Sequence, residues 1–179
     1  MDLIGVADYI SVFPLVLYYA FAYLSVINIK NIKNKLEHPL LLLFLLLSSK
    51  LVNFIKSIDF KREFIYRPKG AEYCDLLSKN KVSKMRGFPS GHMSSIALFA
   101  TFMILFRYYK NYDNIKDYIK KDYIFIILNL FLVLITAWAR YYKKCHTILQ
   151  ISCGTILGIL LGCICFFTYL ELEKIVKNK

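Results

Sequence analysis

The stretch Thr147–Leu170, TILQISCGTILGILLGCICFFTYL, decides the fold. It contains no charged side chain. A helix needs ~20 mostly apolar residues to cross the ~30 Å hydrocarbon core of a bilayer, and this stretch is long enough. Working outward, four more stretches read the same way: Leu3–Asn28, Pro39–Ile55, Gly91–Tyr109 and Tyr123–Ala139. The expectation is an all-α integral membrane bundle of five transmembrane helices, a single domain over residues 1–179.

Composition agrees. Of 179 residues, 58% are hydrophobic, more apolar surface than a soluble domain of this size can hide. With 7 Gly and 4 Pro the chain is neither collagen-like nor a Gly/Pro linker. Lys and Arg number 24 against 12 Asp and Glu, a formal charge of +12. In so apolar a chain that excess fits loops lying against anionic lipid rather than a nucleic-acid interface. The first stretch is too long for the apolar region of a signal peptide, and Asp2 precedes it with no Lys or Arg.

Three polar clusters emerge on one side of such a bundle. The loop 56–90 carries Lys61-Arg62-Glu63-Phe64-Ile65-Tyr66-Arg67-Pro68 and then Pro89-Ser90-Gly91-His92. The loop 140–146 carries Ala139-Arg140 at its start and His146 at its end, with Gln150 beyond. Two arginines and a lysine supply fork-shaped and point donors for phosphate oxygens. Ser90 and Gly91 open the third helix, where free N–H groups and the positive dipole end suit an anion. Gly91 also lets the backbone approach a ligand closely. Two histidines remain for phosphoryl and proton transfer, one as nucleophile and one as acid.

These residues resemble the type 2 phosphatidic acid phosphatase / vanadium haloperoxidase superfamily, whose pattern is K-x6-R-P, then P-S-G-H, then S-R-x5-H-x3-D. P-S-G-H is intact at Pro89–His92, R-P at Arg67-Pro68 and R-x5-H at Arg140…His146, in family order. The strings R-P-K-G-A-x-x-C-D, G-F-P-S-G-H-M and C-H-T-x-x-Q are also similar to a subgroup associated with large DNA viruses. The resemblance implies a metal-independent lipid phosphate phosphatase without cofactor. His146 would form a phosphohistidine and His92 would protonate the leaving group. Lys61, Arg67, Arg140, Ser90 and Gly91 would hold phosphate. The sequence shows no D-x-D pair, no H-E-x-x-H and no Cys-x5-Arg loop. Family members commonly have six helices, so one at the N-terminal end is expected to be missing. The substrate partner would be a phosphomonoester or diphosphate of a membrane lipid, with its tail in the bilayer.

Three positions depart from the pattern. Lys61 lies one residue closer to Arg67 than the family spacing, and Ala139 replaces a serine. Gln150 stands where the family has Asp, at i+4 from His146 on the same helix face. An amide carbonyl fixes the imidazole tautomer but supplies no charge, and loss of a triad Asp elsewhere costs ~10⁴ in rate. The alternative function is therefore a catalytically impaired relative that binds lipid phosphate or serves a structural membrane role.

Plainer readings stand beside these. The histidines can be structural, Arg67 and Arg140 can be interfacial anchors, Lys61 can be a juxtamembrane charge, and Ser90 can simply cap its helix. Gly154, Gly158 and Gly162 form G-x3-G-x3-G, which packs inside the bundle or forms a dimer face. Cys74 and Cys145 share the site side and are either bridged or two unrelated thiols. Lys and Arg fall almost evenly on the two sides. Setting aside the site cations, the acidic N-terminus favours N-terminus out and a lumenal or extracellular site.

Overall fold

A computed structural model describes residues 3–27, 35–58, 62–71, 74 and 85–178. The described chain is built from helices α1 (Leu3–Ile27), α2 (Glu37–Ser57), α3 (Gly91–Asn111), α4 (Ile115–Tyr142) and α5 (Ile148–Lys177). A 3-10 turn, Glu63–Ile65, lies between α2 and α3. Among the described residues the sheet content is one antiparallel bridge, Tyr66 to Arg86.

Each apolar stretch is a helix, and the differences are at the ends. Hydropathy marks where hydrocarbon is crossed, whereas the helix runs on wherever its backbone bonds continue. α4 starts at Ile115 because Asn114 caps it, its side chain accepting from the Asp117 N–H. The helix then kinks at Asp122, where φ is −113° and ψ is 21°. The expected start at Tyr123 coincides with this kink, where the polar first turns give way to the apolar run.

Among the described residues four helices, α1, α2, α4 and α5, are long and apolar enough to cross a membrane. α3 is as long as α2, at 21 residues, but is less apolar. It occupies the middle of the bundle, where its neighbours are protein rather than lipid. Met93 to Leu98, Ala100 and Phe102 are buried. Hydroxyls therefore pair inside it: Ser94 meets Ser48 at 2.8 Å and Ser95 meets the Tyr18 hydroxyl at 3.1 Å. Side chains such as Leu43, Phe54, Leu128, Leu134, Leu160 and Phe167 point outward, the pattern of a lipid-facing surface.

The glycine stripe packs inside the bundle. A Cβ on Gly154 would lie 2.5 Å from the Ser90 carbonyl, and one on Gly162 would lie 2.8 Å from the Leu98 carbonyl. One on Gly158 would overlap the Ser94 carbonyl. α3 and α5 thus approach backbone to backbone, which small residues permit. Their contact aligns the N-terminal ends of both helices at one end of the bundle. The first half of α1 reaches the same end, where Asp8 pairs with Lys143.

Candidate active site

The Arg140-x5-His146 spacing closes a compact turn. The Arg140 carbonyl accepts from the N–H of Cys145 at 3.1 Å and of His146 at 3.3 Å. Lys144 takes φ 52°, the left-handed conformation that often ends a helix. Thr147 then opens α5 with a capping box. Its hydroxyl accepts from the Gln150 N–H, and Gln150 Oε1 accepts from the Thr147 N–H at 3.2 Å. His146 sits between the two helix ends and is 1% exposed.

The tautomer of His146 follows from its partners. Nδ1 lies 3.3 Å from Gln150 Oε1, and Nε2 lies 3.3 Å from Arg67 Nη1. A guanidinium can only donate and an amide oxygen can only accept. Nδ1 therefore carries the proton and Nε2 presents its lone pair. The amide orientation is fixed independently, because Gln150 Nε2 donates to the carbonyls of Phe64 and Tyr66, each at 2.8 Å. Burial pushes the His146 pKa well below the usual histidine value, and the charges of Arg140, Arg67, Lys56 and His92 push it the same way. The ring is neutral at neutral pH, the form that has a lone pair to give.

Among the described residues, Arg67 and Arg140 both donate to neutral oxygens. Arg67 Nη1 donates to the Cys145 carbonyl at 2.9 Å. Arg140 donates through Nη2 to the Cys74 carbonyl at 2.6 Å and through Nη1 to the Ser11 hydroxyl at 3.2 Å. Arg140 is fully buried, which an interfacial anchor would not be. His92 Nε2 lies 3.1 Å from the Ser11 carbonyl, so that nitrogen bears a proton.

Cys74 and Cys145 are bridged, with Cα atoms 5.4 Å apart across a sequence separation of 71. The carbonyl of each bridged cysteine receives one site arginine. The spacing in sequence left this pairing open, since only the fold supplies a Cα separation.

Ser90 is the N-cap residue of α3, yet its side chain makes no capping bond. Its hydroxyl is buried and has no hydrogen-bond partner among the described residues. A buried hydroxyl in that state is costly unless something accepts from or donates to it. The reading of Ser90 as a simple cap is therefore corrected. Its N–H is already used, donating to the Gln150 carbonyl at 3.1 Å, so only the hydroxyl remains for a ligand. At Gly91 a Cβ would meet Val52 Cγ1 at 3.4 Å, an ordinary contact, so packing against the described residues does not demand glycine there.

The structure thus brings Arg67, Ser90, Gly91, His92, Arg140, His146 and Gln150 to one end of the bundle. Lys61 lies outside the described residues. Four contributors had not been singled out. Lys56, 5% exposed near the end of α2, adds its charge to the field on His146. Ser11 joins His92 to Arg140, and a lone serine in an apolar span gives no signal of that. Thr147 was legible as T-x-x-Q, the capping-box pattern. Gly87 packs against the Gln150 amide, where a Cβ would overlap Oε1.

A family model described as PAP2 superfamily matches residues 12–173, and the chain belongs to that superfamily. No curated protein and no solved structure matches it. With its four long apolar helices the chain is an integral membrane protein, and its family points to phosphatase-type chemistry.

Proposed function

We propose that this PAP2 superfamily member hydrolyses a phosphomonoester or diphosphate of a membrane lipid through a phosphohistidine on His146. The observation that carries the reading is the buried His146 ring, whose Nδ1 faces the Gln150 amide oxygen and whose Nε2 faces Arg67, an arrangement that leaves Nε2 unprotonated. In the first step Nε2 attacks phosphorus and the P–O bond to the leaving group breaks. Protonated His92 gives its proton to the departing oxygen. In the second step water attacks the phosphohistidine, His92 accepts its proton, and phosphate leaves. Arg67, Arg140 and the Ser90 hydroxyl hold the non-bridging oxygens, whose charge grows in the transition state. The amide of Gly91 completes the phosphate contacts, and Lys61 is assigned to the same oxygens from the sequence pattern alone.

The lipid part of the proposal rests on the surface. Apolar side chains face outward along the helices, so a substrate tail can stay in the bilayer while its head group enters the site. The buried Cys74–Cys145 bridge supports a site that faces a lumenal or extracellular compartment, where disulfides persist.

A second reading, lipid phosphate binding without turnover, is favoured by one observation: the partner of His146 is an uncharged amide. Phosphate release by detergent-solubilised protein over a panel of lipid phosphates, with EDTA present, separates the two. Release that survives EDTA and is lost in His146→Ala supports the phosphatase. Binding of the same lipids with no release supports the second reading.

A further inference from the structure

Gln150 touches every motif of the site. Its Oε1 faces His146 Nδ1 at 3.3 Å and the Thr147 N–H at 3.2 Å. Its Nε2 donates to Phe64 and Tyr66, the carbonyls just before Arg67-Pro68. Its own carbonyl accepts from the N–H of Ser90, in Pro89–His92. Between the two carbonyls it holds, that of Ile65 accepts from the N–H of Gly87 at 2.7 Å and of Phe88 at 3.2 Å. Arg67 N–H then donates to Met85 at 3.0 Å. Gly87 leaves the space in which the amide lies. Gln150 is fully buried, and both ends of its amide are bonded.

We propose that Gln150 is a positioning residue that sets the register of all three motif segments, and that its neutral amide, not a carboxylate, is what this site requires. This rests on the phosphatase reading for its kinetic consequences only. A carboxylate has no N–H to give. It would set negative charge against the Phe64 and Tyr66 carbonyls, leaving two buried acceptors without donors. An aspartate is also one methylene shorter and could not reach both carbonyls while facing His146. Gln150 is therefore not a weakened remnant of an acidic partner. The charged and titratable groups among the described residues that act on His146 are Arg140 from α4, Arg67 from the segment after the 3-10 turn, Lys56 from α2 and His92 from α3. Burial is the larger cause of the lowered His146 pKa, and these charges act in the same direction.

The test compares wild type with Gln150→Glu and Gln150→Asp. Glu keeps the length and one acceptor oxygen but loses both donors. Hydrogen exchange by mass spectrometry reads the register without any turnover. The segments containing Arg67, Gly87 and Phe88 exchange faster in both variants, while α1, α4 and the second half of α5 keep their protection. Phosphate release falls about tenfold or more in each variant. The acid limb of kcat/KM also moves to higher pH, because a nearby carboxylate favours the protonated ring. Unchanged exchange at those segments overturns the proposal. So does a variant as active as wild type, or a fall in rate with the acid limb unmoved, which would leave Gln150 a helix cap only. If wild-type protein releases no phosphate, the phosphatase reading fails and the exchange data alone decide this one.

Discussion

The two ends of the bundle handle charge differently. At the end away from the site, acid meets base. Lys110 pairs with Glu173 at 2.5 Å, Lys177 joins at 3.3 Å, and the Tyr169 hydroxyl donates to the same carboxylate. Arg107 holds Asp122 at the α4 kink through two bonds of 2.5 and 3.0 Å. At the site end, Arg67 and Arg140 donate to backbone carbonyls and a serine hydroxyl, and His146 leans on an amide. Uncharged oxygens fix the direction of a guanidinium. Opposite charges fasten helices together and cancel locally. The site end has a fastening pair of its own, Asp8 with Lys143, but Arg67 and Arg140 are aimed there by carbonyl and hydroxyl oxygens.

The largest effect expected from breaking this contrast is at the nucleophile. His146→Ala reduces phosphate release to the assay background, with the far-end ion pairs untouched. Activity that survives would assign the nucleophile elsewhere, and acid-labile phosphate trapped on His92 would reverse the two histidine roles.

Next comes Arg140→Lys. The lysine keeps the charge but cannot reach both the Cys74 carbonyl and the Ser11 hydroxyl with the same fork. We expect kcat/KM to fall by roughly 100-fold, the scale of losing an oriented donor to a developing oxyanion. A fall of less than about threefold would show that charge, not direction, matters at this position.

The depressed pKa of His146 has a sign in both activity and stability. If His146 is the nucleophile proposed above, its neutral ring is the active form, and the acid limb of kcat/KM is expected below the ordinary histidine value of about 6.5. As pH falls below that value the unfolded chain takes up a proton that the folded chain refuses. Stability is thus fully present above it and declines as pH drops toward the folded-state pKa. Kinetic and melting profiles measured across acid pH check both limbs. A limb at or above the ordinary value would contradict the cationic surroundings described for His146.

Reducing the Cys74–Cys145 bridge is expected to cost about 2–4 kcal/mol of stability. It should also weaken inhibition by inorganic phosphate, because each bridged cysteine offers its carbonyl to a site arginine. Melting curves and phosphate inhibition of Cys74→Ser/Cys145→Ser would measure the two effects. Unaltered inhibition would show that the arginines are aimed without the bridge. The smallest effect belongs to the far end. Lys110→Met removes a partly exposed partner of Glu173 and leaves Lys177 in place, so about 1 kcal/mol is lost and kcat/KM does not change.

The sequence by itself determined the helices and the family. Long apolar runs must fold as spans, and Arg67-Pro68, Pro89–His92 and Arg140…His146 mark the candidate site and the family, because hydropathy and motif belong to side chains before they are placed. It could not tell that the third helix is the central one, since polar side chains in a span read alike whether they meet water or a neighbouring helix. It left the glycine stripe between two faces and Cys74 and Cys145 between two states. It put Gln150 down as a substitution rather than a junction, and it passed over Lys56 and Ser11. Those matters were decided only by tertiary structure. A hydrogen bond or a disulfide needs atoms within a few ångströms, and residues as far apart as Ser11 and Arg140, or Phe64 and Gln150, acquire that separation only once the helices have packed.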